Sequence, residues 1–337
     1  MVYLTHEGGE NVTIANDVHE LIRTAVAKEY HDLFFKPQLA GWQLIGRNIL
    51  ATTLLAELSL EQGQIMINYL KFQAQMDLSE HRRPQIGAWH YQQDDLSIDL
   101  RLATVGDYLN RESLVVRLLA QETKSCAFIN PKRYQELHKL LKRRGLLVFA
   151  GPTGSGKTTL MYHLAQELSQ QATVLTIEDP TEIVEPRFIQ LQVNEEAQMT
   201  YPALLKISLR LRPDVLVIGE IRDKETAAIA VQAALSGHLV LATLHARSAS
   251  GVIKRLLDLG VHNSSLTNAL TACCYQRLIP TTTDETLKIA LDLLPPDLIT
   301  AAINKPSNEL HNWWTDLQAA QKDGTITEQT LQDYRWG

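Results

Sequence analysis

The chain has 337 residues, and at about 150 residues per domain this length predicts two domains. Hydrophobic residues make up 45% and charged residues 21%, a composition that is typical of folded proteins and excludes a mostly disordered chain. The 32 Lys and Arg and the 38 Asp and Glu side chains give a formal net charge of −6. Because phosphate contacts need clustered cations, this mildly acidic chain is expected to be a poor general binder of nucleic acid, and no direct sequence-specific binding of nucleic acid is expected.

The three cysteines, Cys126, Cys273 and Cys274, form no CxxC pair. Their spacing therefore predicts neither a zinc ribbon nor a disulfide scaffold, and it is typical of a reducing cytoplasm. The N-terminal residues lack the basic and apolar regions of a signal peptide. No run approaches the roughly 18 apolar residues of a membrane span. We therefore expect a cytoplasmic protein that reaches a membrane only by surface contact or through a partner.

Residues 1–120 mix helix and strand patterns. Val18–Lys28 has apolar residues at helical spacing, and Leu96–Thr104 alternates apolar with polar residues, which predicts a half-buried strand. Leu114–Leu119 predicts a second strand after a polar turn. We interpret this part as a small α+β domain, followed by a polar linker at residues 121–131 that ends in proline.

Helices and strands alternate over residues 132–337, the second predicted domain. The predicted helices are Lys132–Arg143, Lys157–Leu168 and Lys224–Leu235, the last closed by Gly237, and the predicted strands are Leu146–Ala150, Thr173–Ile177, Val215–Ile218 and Leu239–Leu244. Each strand is a short, continuous apolar run, as expected where both faces of a sheet are covered. The pattern predicts an α/β fold with a parallel, doubly wound sheet.

Residues 151–158 read GPTGSGKT and match the phosphate-binding loop pattern G-x-x-x-x-G-K-[ST]. The loop leaves a predicted strand and opens a predicted helix, the context that this motif requires. Its glycines allow backbone N–H groups to surround phosphates, and the helix start adds its positive dipole end. Lys157 supplies a charge for the β- and γ-phosphates, and the Thr158 hydroxyl is placed for Mg²⁺. An ordinary glycine-rich turn is the weaker alternative.

Two acids and a histidine follow the neighbouring strands. Glu178 comes after the strand TVLTI, Glu220 follows VLVIG, and His245 ends LVLATLH. Ligands of α/β sheets bind at the carboxyl ends of parallel strands, so one acid could hold Mg²⁺ and the other could activate water. Taken alone, each Glu is more typical of a solvated strand end, but the phosphate-binding loop favours the functional interpretation. His245 could sense a γ-phosphate or could be an ordinary strand-end histidine.

Four motifs in order make the chain resemble the secretion ATPase superfamily of type II secretion, type IV pili and competence pseudopili. They are GPTGSGKTT, the aspartate box TIEDPTE (Thr176–Glu182), the Walker B-like RPDVLVIGEIRD (Arg212–Asp223) and the histidine box ATLHARSASG (Ala242–Gly251). HRRPQIG (His81–Gly87) also resembles the family segment RRPQDG. The resemblance covers most of the chain from Val18 to Ile279, and it implies a RecA-like ATPase domain.

The resemblance implies a role for each matching residue. ATP would be bound by Gly151, Pro152, Thr153, Gly154, Ser155, Gly156, Lys157, Thr158 and Thr159. Thr158 and Glu220 would hold Mg²⁺, Glu178 would be the general base, and His245 would couple the γ-phosphate to subunit movement. Arg101 and Arg117 would be arginine fingers from the N-terminal domain. Without the resemblance, Arg101 would be read as solvated and Arg117 as an interruption of an apolar run.

Departures from the family pattern indicate which branch of the family the chain resembles. Arg212-Pro213-Asp214 stands for the usual DPD, Phe34 replaces a histidine and Ile86 replaces an aspartate. The paired-cysteine zinc insertion, the AIRNLIRE segment of retraction motors and a long N-terminal extension are missing. The chain therefore looks most like the competence pseudopilus ATPases of Gram-positive bacteria.

The short C-terminal region has no firm functional interpretation from the sequence. The 60 residues after Arg277 are polar at their end apart from Trp313 and Trp314. These two tryptophans either pack on the core, which is the favoured alternative, or contact a partner. Cys273 and Cys274 are expected to be buried small residues.

The leading hypothesis is an ATP-hydrolysing motor that drives competence pseudopilus assembly for DNA uptake. The resemblance implies a homo-oligomer, a hexamer, acting on a polytopic membrane platform protein at the inner face of the cell membrane. The alternatives are a type II secretion or type IV pilus assembly ATPase, a ring translocase on nucleic acid, and a nucleotide-dependent scaffold or regulator with little hydrolysis. The acidic balance disfavours the translocase, and the acids and arginines beside the phosphate-binding loop disfavour the scaffold.

Overall fold

A computed structural model describes residues 10–48, 51–119, 126–195, 197–282 and 287–337. The chain divides into two compact units, Met1–Gln121 and Glu122–Gly337, hereafter unit 1 and unit 2. Residues 121–125 of the predicted linker lie outside the described residues.

Unit 1 combines two helices, among its described residues, with a six-stranded antiparallel sheet. Its elements are α1 (Glu10–Ala27), β1 (Asp32–Gln38), β2 (Gly41–Arg47), β3 (Thr52–Ser59), α2 (Leu60–Gln73), β4 (Gln85–Gln93), β5 (Leu96–Gly106) and β6 (Glu112–Leu118). The strand order is β3-β2-β1-β6-β5-β4, and every neighbouring pair is antiparallel.

Alternation along the strands of unit 1 separates a core face from an outer face. On β5, Leu100 and Leu102 are buried while Arg101 between them is half-buried, which confirms the predicted half-buried strand. The core face is covered by apolar side chains of α1 and α2, including Ile22 and Ile67. Because successive side chains of a strand point to opposite faces, the two candidate arginines share the outer face of the sheet.

A buried ion pair lies within unit 1. Lys71 on α2 is 0% exposed and donates to Glu112 Oε1 at 2.8 Å and to the Glu80 carbonyl at 2.7 Å. Glu112 is 2% exposed, and its second oxygen is 3.0 Å from Nδ1 of His81. The pair therefore attaches the HRRPQIG segment to α2 and to the start of β6.

Unit 2 is built on a seven-stranded sheet. Its elements are α3 (Pro131–Leu140), β7 (Gly145–Ala150), α4 (Lys157–Leu168), β8 (Val174–Glu178), β9 (Ile189–Gln192), α5 (Tyr201–Leu211), β10 (Val215–Ile218), α6 (Lys224–Leu235), β11 (Leu239–Leu244), α7 (Ala249–Asp258), α8 (Asn263–Ala269), β12 (Leu270–Pro280), β13 (Leu287–Leu294), α9 (Pro296–Asn304), α10 (Trp313–Lys322) and α11 (Glu328–Asp333). The order is β13-β12-β7-β11-β10-β8-β9. Among the described strands of this sheet, β13 pairs with β12 antiparallel and all other neighbouring pairs are parallel.

Both faces of this sheet are covered, as the apolar runs predict. Every residue of β7 is buried. Leu146 and Val148 face a core shared with α6, α7 and α8, whereas Leu147 and Phe149 face a second core shared with α3 and α4. The sequence missed β12 and β13, which extend the parallel sheet beyond β7 and close it with an antiparallel edge strand.

The C-terminal region packs on unit 2. Trp313 is 1% exposed, contacts the ring of Tyr275 edge-on at 5.5 Å and donates to the Tyr334 carbonyl at 2.7 Å. Trp314 is partly buried against the same core, so both tryptophans pack on the core. Cys273 and Cys274 are buried, as expected. Among the described residues, no helix has both the length and the apolar character needed to cross a membrane.

We expect Lys71→Met to destabilise unit 1 by about 3 kcal/mol, because it leaves the Glu112 carboxylate buried without its cation. Urea denaturation of the full chain, followed by circular dichroism, measures the change. The matched control is Lys206→Met, which breaks the exposed pair with Glu225 and should cost less than about 1 kcal/mol. Equal effects of the two substitutions would contradict a structural role for the buried pair.

Candidate active site

The predicted nucleotide motifs meet at one edge of the sheet in unit 2. Strands β7, β11, β10 and β8 are adjacent in that order and parallel, so their carboxyl ends lie along one edge. The phosphate-binding loop leaves β7, Glu178 ends β8, Glu220 lies two residues beyond β10, and His245 directly follows β11. The structure thus brings together four elements that the sequence assigned to one site.

Glycine conformations shape the loop between β7 and α4. Gly154 and Gly156 have φ values of 78° and 80°, and Gly151 has a φ of 149°. Residues with a side chain rarely adopt such backbone angles. A Cβ on Gly151 would lie 2.4 Å from the Gln276 carbonyl oxygen and 2.7 Å from Ser155 Oγ. Helix α4 begins directly after Gly156, at Lys157, as predicted. Its first turn therefore presents N–H groups to an anion at the loop.

Lys157 lies inside its own loop. Its Nζ donates to the carbonyls of Gly151 and Pro152, both at 2.9 Å. Burial lowers the pKa of Lys157, and the charges of Glu220 and Glu182 act in the opposite direction. Two carboxylates thus act on the Lys157 ammonium group, the group with which a phosphate would also interact.

Gln276 on β12 holds the phosphate-binding loop from a strand that the sequence did not predict. Its side chain is 0% exposed, and Nε2 donates to the Ser155 carbonyl at 2.7 Å. Gln276 Oε1 and Ser155 Oγ are buried and have no hydrogen-bond partner among the described groups. No motif points to Gln276, because its role depends on the pairing of β12 with β7.

Glu178 is buried and accepts several hydrogen bonds. It is 2% exposed, and its Oε1 accepts from the Tyr162 hydroxyl and, at 2.9 Å, from Thr176 Oγ1. The backbone N–H of Glu182 also acts on this carboxyl group. Burial raises the pKa of Glu178, and these donors offset part of that rise. Glu178 therefore connects α4, β8 and the aspartate-box loop.

Glu182 is the second glutamate of the aspartate box, and sequence reasoning gave it no role. Its side chain is exposed, and its charge acts to raise the pKa of Lys157 against the effect of burial. The available signal was the spacing TIEDPTE, which contains two glutamates as well as one aspartate.

Glu220 contacts a histidine and an arginine at the same edge. Its Oε1 is 2.8 Å from His245 Nε2, and its Oε2 accepts from Arg222 Nε. Arg222 also lies 3.5 Å from Asp179. The Glu220 side chain is 19% exposed, whereas that of His245 is 59% exposed. The structure thus places His245 in direct contact with Glu220, so a movement of the histidine would change this contact.

The residues present fit a magnesium ion bound together with a nucleotide. Within the described ranges no three or more His, Cys, Asp or Glu side chains converge as a metal site, so the protein alone offers no cage. Mg²⁺ commonly uses one or two protein oxygens together with phosphates and water. The Thr158 hydroxyl in the first turn of α4 and the Glu220 carboxylate are oxygen donors of this kind.

The candidate arginine fingers lie on adjacent strands of unit 1. Arg101 on β5 is the cross-strand partner of Arg117 on β6. Arg117 donates through Nε to Asp32 Oδ1 at 2.8 Å, and Arg47 donates to Asp32 Oδ2 at 2.6 Å. Burial raises the pKa of Asp32, but the two guanidinium groups outweigh burial and hold the pKa below its usual range. Approach of these arginines to a nucleotide stays a prediction.

Positions that depart from the family pattern have ordinary structural roles. Phe34 lies under the guanidinium of Arg47, 4.6 Å from the ring centre. Ile86 is 84% exposed on β4. Arg212 ends α5 in the left-handed conformation with φ of 49°.

The chain matches the family model described as Type II/IV secretion system protein over residues 7–317. It therefore belongs to this family, as the four ordered motifs indicate.

The competence branch of the family contains several similar proteins. The chain is 45% identical over 260 residues to Competence protein ComGA of Streptococcus pneumoniae, covering 77% of this chain and 83% of that protein. It is 42% identical over 222 residues to Competence protein ComGA of Bacillus subtilis, covering 64% of this chain and 62% of that protein.

Type II secretion system protein E of Pseudomonas aeruginosa is 38% identical over 225 residues, covering 65% of this chain and 45% of that protein.

Solved structures confirm the fold. The ATPase DotB of Legionella pneumophila has a TM-score of 0.76 at 18% identity, covering 94% of each chain. The pilus retraction motor PilT with bound ADP has a TM-score of 0.72 at 23% identity, covering 94% of this chain and 96% of that one. The predicted P-loop domain preceded by a smaller α+β domain is the architecture that these neighbours share with this chain.

We expect Asp32→Asn to cost about 1 kcal/mol of stability at pH 7, discounted because both arginines are half exposed. The folded pKa of Asp32 is lowered, so its contribution is complete above the unfolded pKa of about 3.9 and is lost as the pH falls through the folded value. Denaturation midpoints of wild type and variant should therefore converge towards pH 2. A difference that persists at low pH, or one matched by the exposed Asp95→Asn, would argue against the ionic contribution.

Proposed function

We propose that the chain is an ATP-hydrolysing motor that drives assembly of a competence pseudopilus, a type IV pilus-like fibre, for DNA uptake. The convergence of the phosphate-binding loop, the aspartate box, Glu220 and His245 on one sheet edge supports ATP hydrolysis. The likeness to the pneumococcal and Bacillus competence proteins favours this cellular role.

A type II secretion or pilus assembly motor is the second candidate, favoured by the likeness to type II secretion system protein E. Deletion of the gene distinguishes them: loss of transformation with intact protein export supports the competence role. Loss of export with normal transformation would assign the chain to secretion.

In the proposed reaction, the loop residues 151–159 and Lys157 bind the phosphates of ATP, with Mg²⁺ held by Thr158 and Glu220. When bound, Mg²⁺ supplies charge neutralisation at the β- and γ-phosphates. Glu220 orients His245, whose ring lies at the edge where a γ-phosphate would sit. Loss of that phosphate changes what His245 contacts, which is how the chemistry would become movement.

The aspartate box supplies the general base. The sequence proposed Glu178, whose raised pKa suits a base. The contacts favour a division of labour, because the Glu178 oxygen already accepts from Tyr162 and Thr176 while Glu182 carries a charge that acts at Lys157. We therefore propose Glu182 as the base and Glu178 as the group that positions it.

The arginines complete the site across a subunit interface in a homo-oligomer, which we propose to be a hexameric ring. Arg101 and Arg117 would stabilise the charge that develops on the transferred phosphoryl group, a role worth about 10³–10⁵ in rate. The ring would act on a polytopic platform protein, and the motor would reside in the cytoplasm at the inner face of the membrane.

Lys157→Ala should abolish Mg²⁺-dependent ATP hydrolysis, because the loop loses its phosphate-binding charge. Phosphate release measures turnover, and a fluorescent ATP analogue measures binding. Lys139→Ala, an exposed lysine on α3, is the matched control and should behave as wild type. Turnover retained by Lys157→Ala would overturn the phosphate-binding assignment.

Glu182→Gln should lower kcat about 100-fold or more while ATP still binds, since a positioned base contributes about 10²–10⁴ in rate. Glu178→Gln should lower the melting temperature as well as kcat, because the amide places a donor against Tyr162 or Thr176. If Glu178→Gln alone stops turnover at unchanged stability and Glu182→Gln stays active, Glu178 is the base.

Mixing two inactive variants tests whether the arginines act across subunits. Lys157→Ala retains its arginines and Arg117→Ala retains its phosphate-binding loop, so mixed rings should regain part of the activity that neither variant shows alone. Specific activity of wild type should also rise with protein concentration as the ring forms, with sizing of the same samples. Absence of recovery in rings shown to be mixed would contradict action across subunits.

A further inference from the structure

The buried carboxyl group of Asp292 joins the C-terminal region to the start of α7. Asp292 lies on β13 and is 0% exposed. Its Oδ1 accepts the backbone N–H groups of His311 at 2.8 Å and Asn312 at 2.9 Å. Burial raises the pKa of Asp292, and the N–H groups of Asn312, His311 and Ala249, the first residue of α7, act in the opposite direction. A desolvated carboxyl group depends on such donors, so Asp292 holds these backbone segments around it.

A second connection joins the same two segments through side chains. Ser250 is 1% exposed, and its Oγ is 2.8 Å from Nε2 of His311. The Asn308 side chain also lies against α7 here, since a Cβ on Gly251 would lie 3.0 Å from Oδ1 of Asn308. Residues 308–312 therefore form a bracket, which we call the C-terminal bracket, against the first turn of α7.

The first turn of α7 holds one end of the short connection that begins at His245. His245 is separated from Ala249 by three residues, and its other flank is the buried end of β11. Ser248 caps α7 by accepting from the Gly251 N–H at 2.9 Å. With both ends held, the short connection has little freedom, and His245 Nε2 lies 2.8 Å from Glu220 Oε1.

The strand pair β12 and β13, which contacts the C-terminal bracket through Asp292, also reaches the phosphate-binding loop. Asp292 on β13 is the cross-strand partner of Tyr275 on β12. The next residue, Gln276, donates to the loop at Ser155. One pair of strands thus contacts both the phosphate-binding loop and the C-terminal bracket.

We propose that Asp292 and His311 are positioning residues that hold the histidine-box turn, and with it His245, against Glu220. The inference rests on the proposed ATP hydrolysis and extends it: the C-terminal bracket is mechanically coupled to the histidine that senses the nucleotide. Any movement of the bracket would be transmitted to His245, and a shift of His245 would be transmitted to the bracket.

The test compares full-length His311→Ala, His311→Gln and His262→Ala by ATP hydrolysis and nucleotide binding. His262 is an exposed histidine that makes no side-chain cap bond at α8, so it is the matched control. Loss of one hydrogen bond to a buried hydroxyl should lower kcat of His311→Ala about 3- to 10-fold. The KM for ATP should stay within about twofold, and His311→Gln should recover most of the activity because its amide can replace the bond to Ser250.

A double-mutant cycle with His245→Ala separates positioning from general destabilisation. If His311 acts through His245, the double variant should be no slower than His245→Ala alone. Multiplicative losses in the double variant, or a KM that rises with the fall in kcat, would overturn the inference.

Hydrogen exchange gives a readout that does not need turnover. The amides of residues 246–251 should exchange about 3- to 10-fold faster in His311→Ala than in wild type, while those of α8 stay unchanged. If wild type binds ATP but does not hydrolyse it, the proposed function is overturned, and hydrogen exchange still tests the positioning role. Unchanged exchange at residues 246–251 would overturn the positioning role by itself.

Discussion

The carboxyl group of Glu178 is the contact on which the geometry of the site depends. Removing a carboxyl group from water is costly, and here the cost is offset by donors from three places in the chain: Tyr162 on the helix of the phosphate-binding loop, Thr176 on its own strand, and the backbone of Glu182. Because these donors come from α4, β8 and the aspartate box, the buried carboxyl group ties the three elements to one another. Glu182, the last residue of that box, carries a charge that acts on Lys157 of the phosphate-binding loop.

Much of unit 2 could be predicted because its strands are buried on both faces and its helices have clear ends. The predicted bounds of α4, β10, α6 and β11 match the structure, and Gly237 follows α6 with a φ of 93°. Continuous apolar runs between glycine-rich turns leave few alternatives to a parallel sheet. Strands β12 and β13 carry buried polar residues such as Gln276 and Asp292, and a polar residue in a run weakens the strand signal.

The sequence predicted the site residues that lie close to the end of a strand. It did not predict residues whose contacts depend on which strands pair with one another. Glu220 lies two residues beyond β10 and His245 directly follows β11, so their proximity was expected. Gln276 reaches the phosphate-binding loop only because β12 pairs with β7, and the pairing of distant strands leaves no local pattern. Arg117 read as an interruption of an apolar run because the sequence did not show that Asp32 would face it from the next strand.

The outer face of unit 1 carries Arg47, Asp32, Arg117 and Arg101 in one row across β2, β1, β6 and β5. Because side chains alternate between faces, a register slip of one residue in any of these strands would turn its member of the row into the core. A single residue gained or lost within any of these strands must therefore be taken up by a bulge if the row is to be kept. Four charges thus depend on one alignment of four strands, whereas the turns between strands can change in length without shifting that alignment.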